Sequence, residues 1–439
     1  MMSLSTSCSS SVGIFSSTQS SRSPDNLNAI DSYLYAGNLY VFFENGRIAY
    51  ISFTHIVRIL QEQYPSYRNL FELAFLHNDY INTAAGRLFL GVNGVRDVIL
   101  REWKKAQKEI CFSILFQDIE KYFHNIGEWN SIPLDIRLYA MRLFIGCEDG
   151  LYESIISQDD KAKVSSGKIN KVFDSRVVSV NAKYGVIAIS ADEEGLFSSS
   201  LIDDKHIKVK DNPDVNRTSL RTDCKETDIL NYDASSRFQY IHNQYERTNK
   251  QTPNYHTLRK SGEFKRIDKF AIQIDDMDPL LNELQIERND LNYCFNSGSA
   301  AFLKLKDGTF FATDFKQRTG GTYKKIIKES KGCNKIMSYA VVPSGCVLRY
   351  YDRTILYKDN EAFLLCGSPS YGVRSYTNSN QYRSLLSINT EESILIHSTE
   401  SFNPLLTPQE DMGKYGRVRY SNIFRLNKHI NNDFDELPF

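Results

Sequence analysis

Two short apolar runs, split by an acidic turn and closed by glycine, constrain this chain more than any other stretch: Leu143-Phe144-Ile145-Gly146-Cys147-Glu148-Asp149-Gly150-Leu151-Tyr152-Glu153-Ser154-Ile155. Phe144 and Ile145 before the turn, and Leu151, Tyr152 and Ile155 after it, suit a pleated, half-buried surface. Gly150 can supply the positive φ that a tight turn asks for. The stretch reads as one β-hairpin, and variants of it recur along the chain.

Residues 39–51 repeat it around Asn45-Gly46, the strongest short hairpin signal there is. Thr54 then caps a short helix through Ile56, Ile59 and Leu60, stopped before Pro65. Residues 87–95 offer the next copy, with Asn93-Gly94 as its turn and a second strand through Val98, Ile99 and Leu100. Phe112, Ile114 and Phe116 alternate like a strand, whereas Leu115, Ile119, Tyr122 and Ile126 keep helical spacing; the favoured reading is an outer strand followed by a short inserted helix. Three strands surround Gly185 and the turn Asp192-Glu193-Glu194-Gly195, the meander of one propeller blade.

From residue 203 to about 268 the pattern degrades into a polar stretch with room for one irregular blade. Hairpins return at 301–312, 339–350, 354–365 and 384–396. The turns fall roughly every 40 to 55 residues, the period of four-stranded blades, and about seven blades result. One such sheet cannot bury both faces. A ring of them buries each face against its neighbour and leaves only short edges.

The segment 143–152, LFIGCEDGLY, resembles the "LWIGT-x-x-GL" repeat of the bacterial two-component-regulator propellers, and is similar more loosely to WD40 and kelch-type blades. The resemblance implies a propeller over most of the chain and a role in recognition, with no catalytic residue to carry over. The expected fold is all-β: a single β-propeller over residues 31–403 with short inserted helices, an irregular blade or insertion around 204–270, a disordered Ser-rich tail at 1–30 and a polar tail at 404–439.

Composition supports a large core, with 41% hydrophobic residues, 26 Phe and 26 Tyr in 439 residues. Formal net charge is +0, so no global field draws the protein to nucleic acid or anionic membrane. The eight cysteines are scattered with no CxxC pair, which favours reduced thiols in a cytoplasmic setting over a zinc site. No apolar run approaches the ~18 residues of a membrane span. The first 28 residues are rich in Ser and poor in acids without a secretory leader; a transit peptide is the alternative to a tail, against which Arg22 stands as the sole basic residue.

No catalytic motif emerges. Glu148-Asp149 and Asp192-Glu193-Glu194 read as solvated hairpin tips, because acid catalysis wants a sheltered carboxyl. Asp275-Asp276-Met277-Asp278 could hold a hard cation, but Pro279 follows where a calcium loop would place glycine. The eight histidines keep no ligand spacing, and Gly320-Gly321 with Lys324-Lys325 is not a Walker loop.

Residues 237–270 interleave cations with aromatic rings, the pattern that holds single-stranded nucleic acid, against the plainer reading of a solvated blade face. Arg237, Tyr240, Tyr245, Arg247, Arg259 and Lys260 are the candidates there for binding a partner or nucleic acid. Lys316, Arg318, Lys324 and Lys325 could extend that surface. The expected function is a non-enzymatic scaffold that binds another protein through its loop face, as part of a complex, with no cofactor, metal or membrane. The alternatives are nucleic-acid binding and a small-molecule enzyme in the central channel, which would require convergent polar groups on inner strands.

Overall fold

Every strand on this chain must hide its apolar face, and the strands do so by forming sheets that stack. The structure, a computed structural model, describes residues 5–6, 10–15 and 29–399, apart from 77–83, 110–111, 130, 160–162, 184, 202–204, 226–227, 234–237, 243–244, 254–259, 267–272, 277–280, 283, 298–299, 315–322, 329–334, 343–344, 359–360, 377–378 and 380. The chain divides into two compact units, residues 1–128 with 332–439, and residues 129–331.

Seven sheets of three or more strands follow one another among the described residues, lettered A to G in chain order. Sheet A holds Ala29–Tyr35, Asn38–Phe43, Arg47–Ser52 and His124–Glu128. Sheet B is built on Asp135–Tyr139, Arg142–Cys147 and Gly150–Gln158, with Val164–Ser166 and Asn170–Phe173 both pairing to the last. Sheet C is Ser179–Lys183, Val186–Ser190 and Leu196–Ser200. Sheet D is Arg221–Lys225, Asp228–Tyr232, Phe238–His242 and Gln273–Asp276.

Sheet E is Leu291–Ser297, Ala300–Leu305, Thr309–Asp314 and Tyr323–Lys328. Sheet F is Ile336–Val342, Gly345–Tyr350, Thr354–Lys358 and Glu361–Cys366, joined by Ser5–Thr6. Sheet G is Ser370–Ser375, Leu385–Thr390 and Ser393–Ser398, to which Ser10–Phe15 adds an antiparallel strand and Phe112–Leu115 a parallel one beyond it. The two N-terminal strands lie inside the stretch expected to be a tail. The expected tail at 404–439 lies outside the described residues.

The protein is thus mostly β, as its hairpins predict, with every α-helix of four or more residues between Phe53 and Ile119 among the described residues. No sheet closes on itself among them. Within each unit, neighbouring sheets share a core. Ile187 and Ile189 of sheet C pack with Phe144 and Leu151 of sheet B, while Val186 and Ala188 pack with Ile229 and Ile241 of sheet D. Sheets D and E meet through Leu230, Leu291 and Leu303, and sheets F and G through Val347, Leu356, Leu386 and Ile388. A strand covered on both faces needs no polar alternation, which is why Val186–Ser190 is buried throughout. At roughly 25 cal/mol per Å2 of apolar surface removed from water, such shared cores are the main force holding each stack.

Three local expectations need correction. Residues 84–91 and 93–109 are helices, not a hairpin of strands. Val95, Ile99, Trp103 and Ala106 recur at helical spacing, and the burial of Trp103 and Ala106 outweighs the turn propensity of Asn93-Gly94. Thr54 lies within the helix Phe53–Gln63, whose N-cap is Ser52. Gly150 has no left-handed φ; the glycine is required there because a Cβ would come within 2.3 Å of the Phe173 carbonyl oxygen. Gly46 and Gly195 do take the positive φ expected of their turns, +84 and +105.

Candidate functional site

The first strand of each sheet, its leading strand, lies against the leading strand of the next within a unit: B on C, C on D and D on E in one, F on G and G on A in the other. Polar side chains stitch these contacts. Asp135 of B accepts the Val180 amide of C at 2.8 Å. Asn181 of C donates to the Thr222 carbonyl at 3.3 Å and to Asp223 Oδ1 of D at 3.0 Å. Arg221 of D donates to the Tyr293 hydroxyl and, at 2.7 Å, to the Cys294 carbonyl of E. In the other unit, Arg374 of G forms an ion pair with Asp31 of A, and Asn389 donates to the same carboxylate at 3.2 Å.

Asp223 is the titratable centre of the B–C–D seam. Burial pushes its carboxyl up to about 6, against the opposing pull of the Arg221 charge and the Tyr232 hydroxyl, which donates to Oδ2 at 3.2 Å. Arg221 itself stacks over the Tyr232 and Tyr293 rings at 3.9 and 4.8 Å. Perturbed carboxyls of this kind gather at functional sites. A second cluster is structural. Glu153 accepts from Arg142, from the Ile207 amide at 2.8 Å and from His206 Nδ1 at 3.0 Å. His206 Nε2 meets the Asn170 amide at 2.7 Å, so both ring nitrogens are occupied.

The unit of residues 1–128 and 332–439 offers a different surface. The helical insertion of sheet A ends in the hairpin of Ala84–Gly91 and Asn93–Glu109, held by Trp103 and Ala106. At its bend Leu88, Phe89, Val92 and Val98 are 76, 44, 56 and 48% exposed. Four large apolar side chains gathered in 11 residues and left to water mark an interaction surface more often than an accident. Arg101, Lys104 and Lys105 are exposed along the second helix. Sequence reading missed this site because the same apolar run, taken at period two, looked like strands. The signal was the i, i+4 series from Val95 to Trp103.

Of the residues singled out from sequence, Arg237, Arg259, Lys316 and Arg318 lie outside the described residues. Tyr240 pairs with Leu230 and Asp275 in sheet D. Tyr245, Arg247 and Lys260 fall on the two-stranded hairpin Tyr245–Pro253 and Lys260–Arg266, opposite Arg266, Phe264 and Pro253. Lys324 and Lys325 are on the last strand of sheet E, opposite Ala312 and Phe311. Arg176 ties the acidic tips of sheets B and C together, 2.7 Å from Glu148 and paired with Asp192.

No family model matches the sequence. No curated protein matches it either. Among solved structures, the chain aligns over 84% of its length with PorZ, an essential bacterial surface component of the type-IX secretion system of Porphyromonas gingivalis, at 9% identity and a TM-score of 0.40. The aligned part spans 36% of PorZ. It aligns over 85% of its length with the computationally designed protein Ika8, covering 98% of that chain at 8% identity and a TM-score of 0.39. Likenesses of this order bear on neither the fold nor the function of the chain. Among the described residues no helix is long and apolar enough to cross a membrane.

Proposed function

We propose that this protein is a non-enzymatic β-propeller scaffold that binds another protein, and that the bend of the helical hairpin 84–109 is the contact. The observation that carries the contact is the exposure of Leu88, Phe89, Val92 and Val98 on a helical hairpin whose second helix buries Trp103. The second helix of that hairpin carries five basic residues against three acidic ones, so the complementary partner presents apolar side chains flanked by carboxylates.

Three features support the propeller. The sheets are successive meanders of about blade length. Leading strand packs on leading strand within each unit, and sheet G, the last in the chain, packs on sheet A, the first. Ser10–Phe15 completes sheet G from the other end of the sequence, the clasp that a closed ring of sheets needs. Free cysteines at Cys147, Cys224 and Cys366 among the described residues support a reducing, cytoplasmic setting.

The test is quantitative affinity purification from native cells with the wild-type chain and with Leu88→Asp/Val92→Asp. Both positions are exposed, so the variant keeps its fold. A partner that binds the wild type again after purification of both proteins, and loses at least about tenfold affinity for the variant, is the expected result. Equal retention by the variant removes the helical bend from consideration.

Nucleic-acid binding is the second reading, favoured by one observation: the 245–266 hairpin pairs Tyr245 with Arg266 and Arg247 with Phe264 on adjacent strands. Absence of a salt-dependent gel shift with single-stranded DNA and RNA at low ionic strength ends it.

A further inference from the structure

The seam of sheets B, C and D holds donors and acceptors that face the same stretch without meeting. Arg137 sits in the middle of its leading strand, between Asp135, which binds the Val180 amide, and Tyr139, whose hydroxyl accepts the Gly185 amide at 2.9 Å. These two bonds fix the register and set Arg137 level with Ala182 and Lys183. On the other side of sheet C's leading strand, the Asn181 bonds set Asp223 at nearly the same level. Three consecutive strands therefore bring Arg137, Asn181 and Asp223 together, all half-buried and so within reach of solvent.

Arg137 makes no hydrogen bond or ion pair among the described residues, and its Nε is buried without a partner. Its charge acts on Asp223 through space, yet the two groups form no ion pair. A guanidinium offers five N–H donors in a rigid fork, and none of these is used. Asp223 uses one acceptor position on each oxygen, for Asn181 and Tyr232, and a carboxylate has about four. Leaving a buried guanidinium nitrogen unsatisfied costs free energy that a bound oxyanion would restore.

We propose that Arg137 and Asp223, the latter held in place by Asn181, form a binding site for a small oxyanion with an adjacent hydroxyl, the oxyanion on Arg137 and the hydroxyl donating to Asp223. The shared chemistry is that of a 2-hydroxycarboxylate or a phosphorylated alcohol. The site lies on the 129–331 unit and is independent of the protein contact on the helical bend, so either can fail alone.

Calorimetric titration of the full chain tests it with four probes: glycolate, acetate, glycerol 3-phosphate and inorganic phosphate. The wild type binds glycolate or glycerol 3-phosphate, and which of the two binds tells carboxylate from phosphate. Arg137→Gln lowers that affinity at least about tenfold while the variant keeps a cooperative thermal transition and the wild-type circular dichroism spectrum. Arg137→Lys, which keeps the charge and loses the fork, lies between and serves if the Gln variant misfolds. Asp223→Asn brings the hydroxylated probe down toward its plain counterpart. No binding of any probe at about 20 mM, or equal binding by wild type and both Arg137 variants, overturns the proposal.

Discussion

Arg142 reaches across from the central strand of sheet B to Glu153 on the next, and the carboxylate it meets is wholly buried. Two further donors complete the carboxylate, the Ile207 amide and the His206 ring, so this ion pair anchors the 205–207 segment to the sheet. Arg142 also donates to the Lys205 carbonyl at 2.6 Å.

Removing one partner strands the other charge in the core. Arg142→Met is expected to cost about 3–5 kcal/mol in urea unfolding. The double variant Arg142→Met/Glu153→Met should recover much of that loss, because it leaves no unpaired charge. A double variant no more stable than Arg142→Met would show that the 205–207 anchorage, not charge burial, dominates.

Asp223 makes an opposite prediction. Its folded pKa, about 6, lies above the ordinary 3.8, so its contribution to stability is full below pH 3.8 and is lost as pH rises through 6. The charged form costs at most about 3 kcal/mol, less where solvent reaches it. Asp223→Asn should therefore gain on the wild type between pH 4 and 7 in chemical denaturation. A constant difference between the two across that range would refute the assignment.

His397 titrates the other way. It is buried in sheet G on the strand that pairs with Ser10–Phe15, opposite Ser11, and burial lowers its pKa to about 4 from 6.5. The unfolded chain takes up the proton first, so stability present above pH 6.5 declines as pH falls toward 4, by about 3 kcal/mol in all. His397→Gln should flatten the acid limb of the stability profile, measured by urea midpoints at half-unit pH steps.

Gly195 tests the backbone. Its φ of +105 is left-handed, and a Cβ there would lie 2.2 Å from the Val215 carbonyl oxygen. Gly37 has φ +85 with open space around it. Gly37→Ala should cost on the order of 1 kcal/mol for the φ alone, and Gly195→Ala at least ~2 kcal/mol more for displacing the 215 segment. Equal thermal midpoints would mean that segment yields freely.

The sequence by itself determined the hairpins. Asn45-Gly46, Gly195 and Gly308 dictate turns through local φ preference, and the apolar runs beside them suit strands wherever they end up. The polar stretch after residue 203 contributes most of sheet D, whose strands run from Arg221 to Asp276 in unbroken register. Tertiary structure alone decided the rest. Residues 87–100 are apolar at both helical and strand spacing over short windows, and burial of Trp103 and Ala106 settled them as helix. Arg137, Asn181 and Asp223 are 44 and 42 residues apart along the chain, a separation without local signature. Only the stacking of leading strands, driven by apolar faces that each sheet must cover with the next, brought them level.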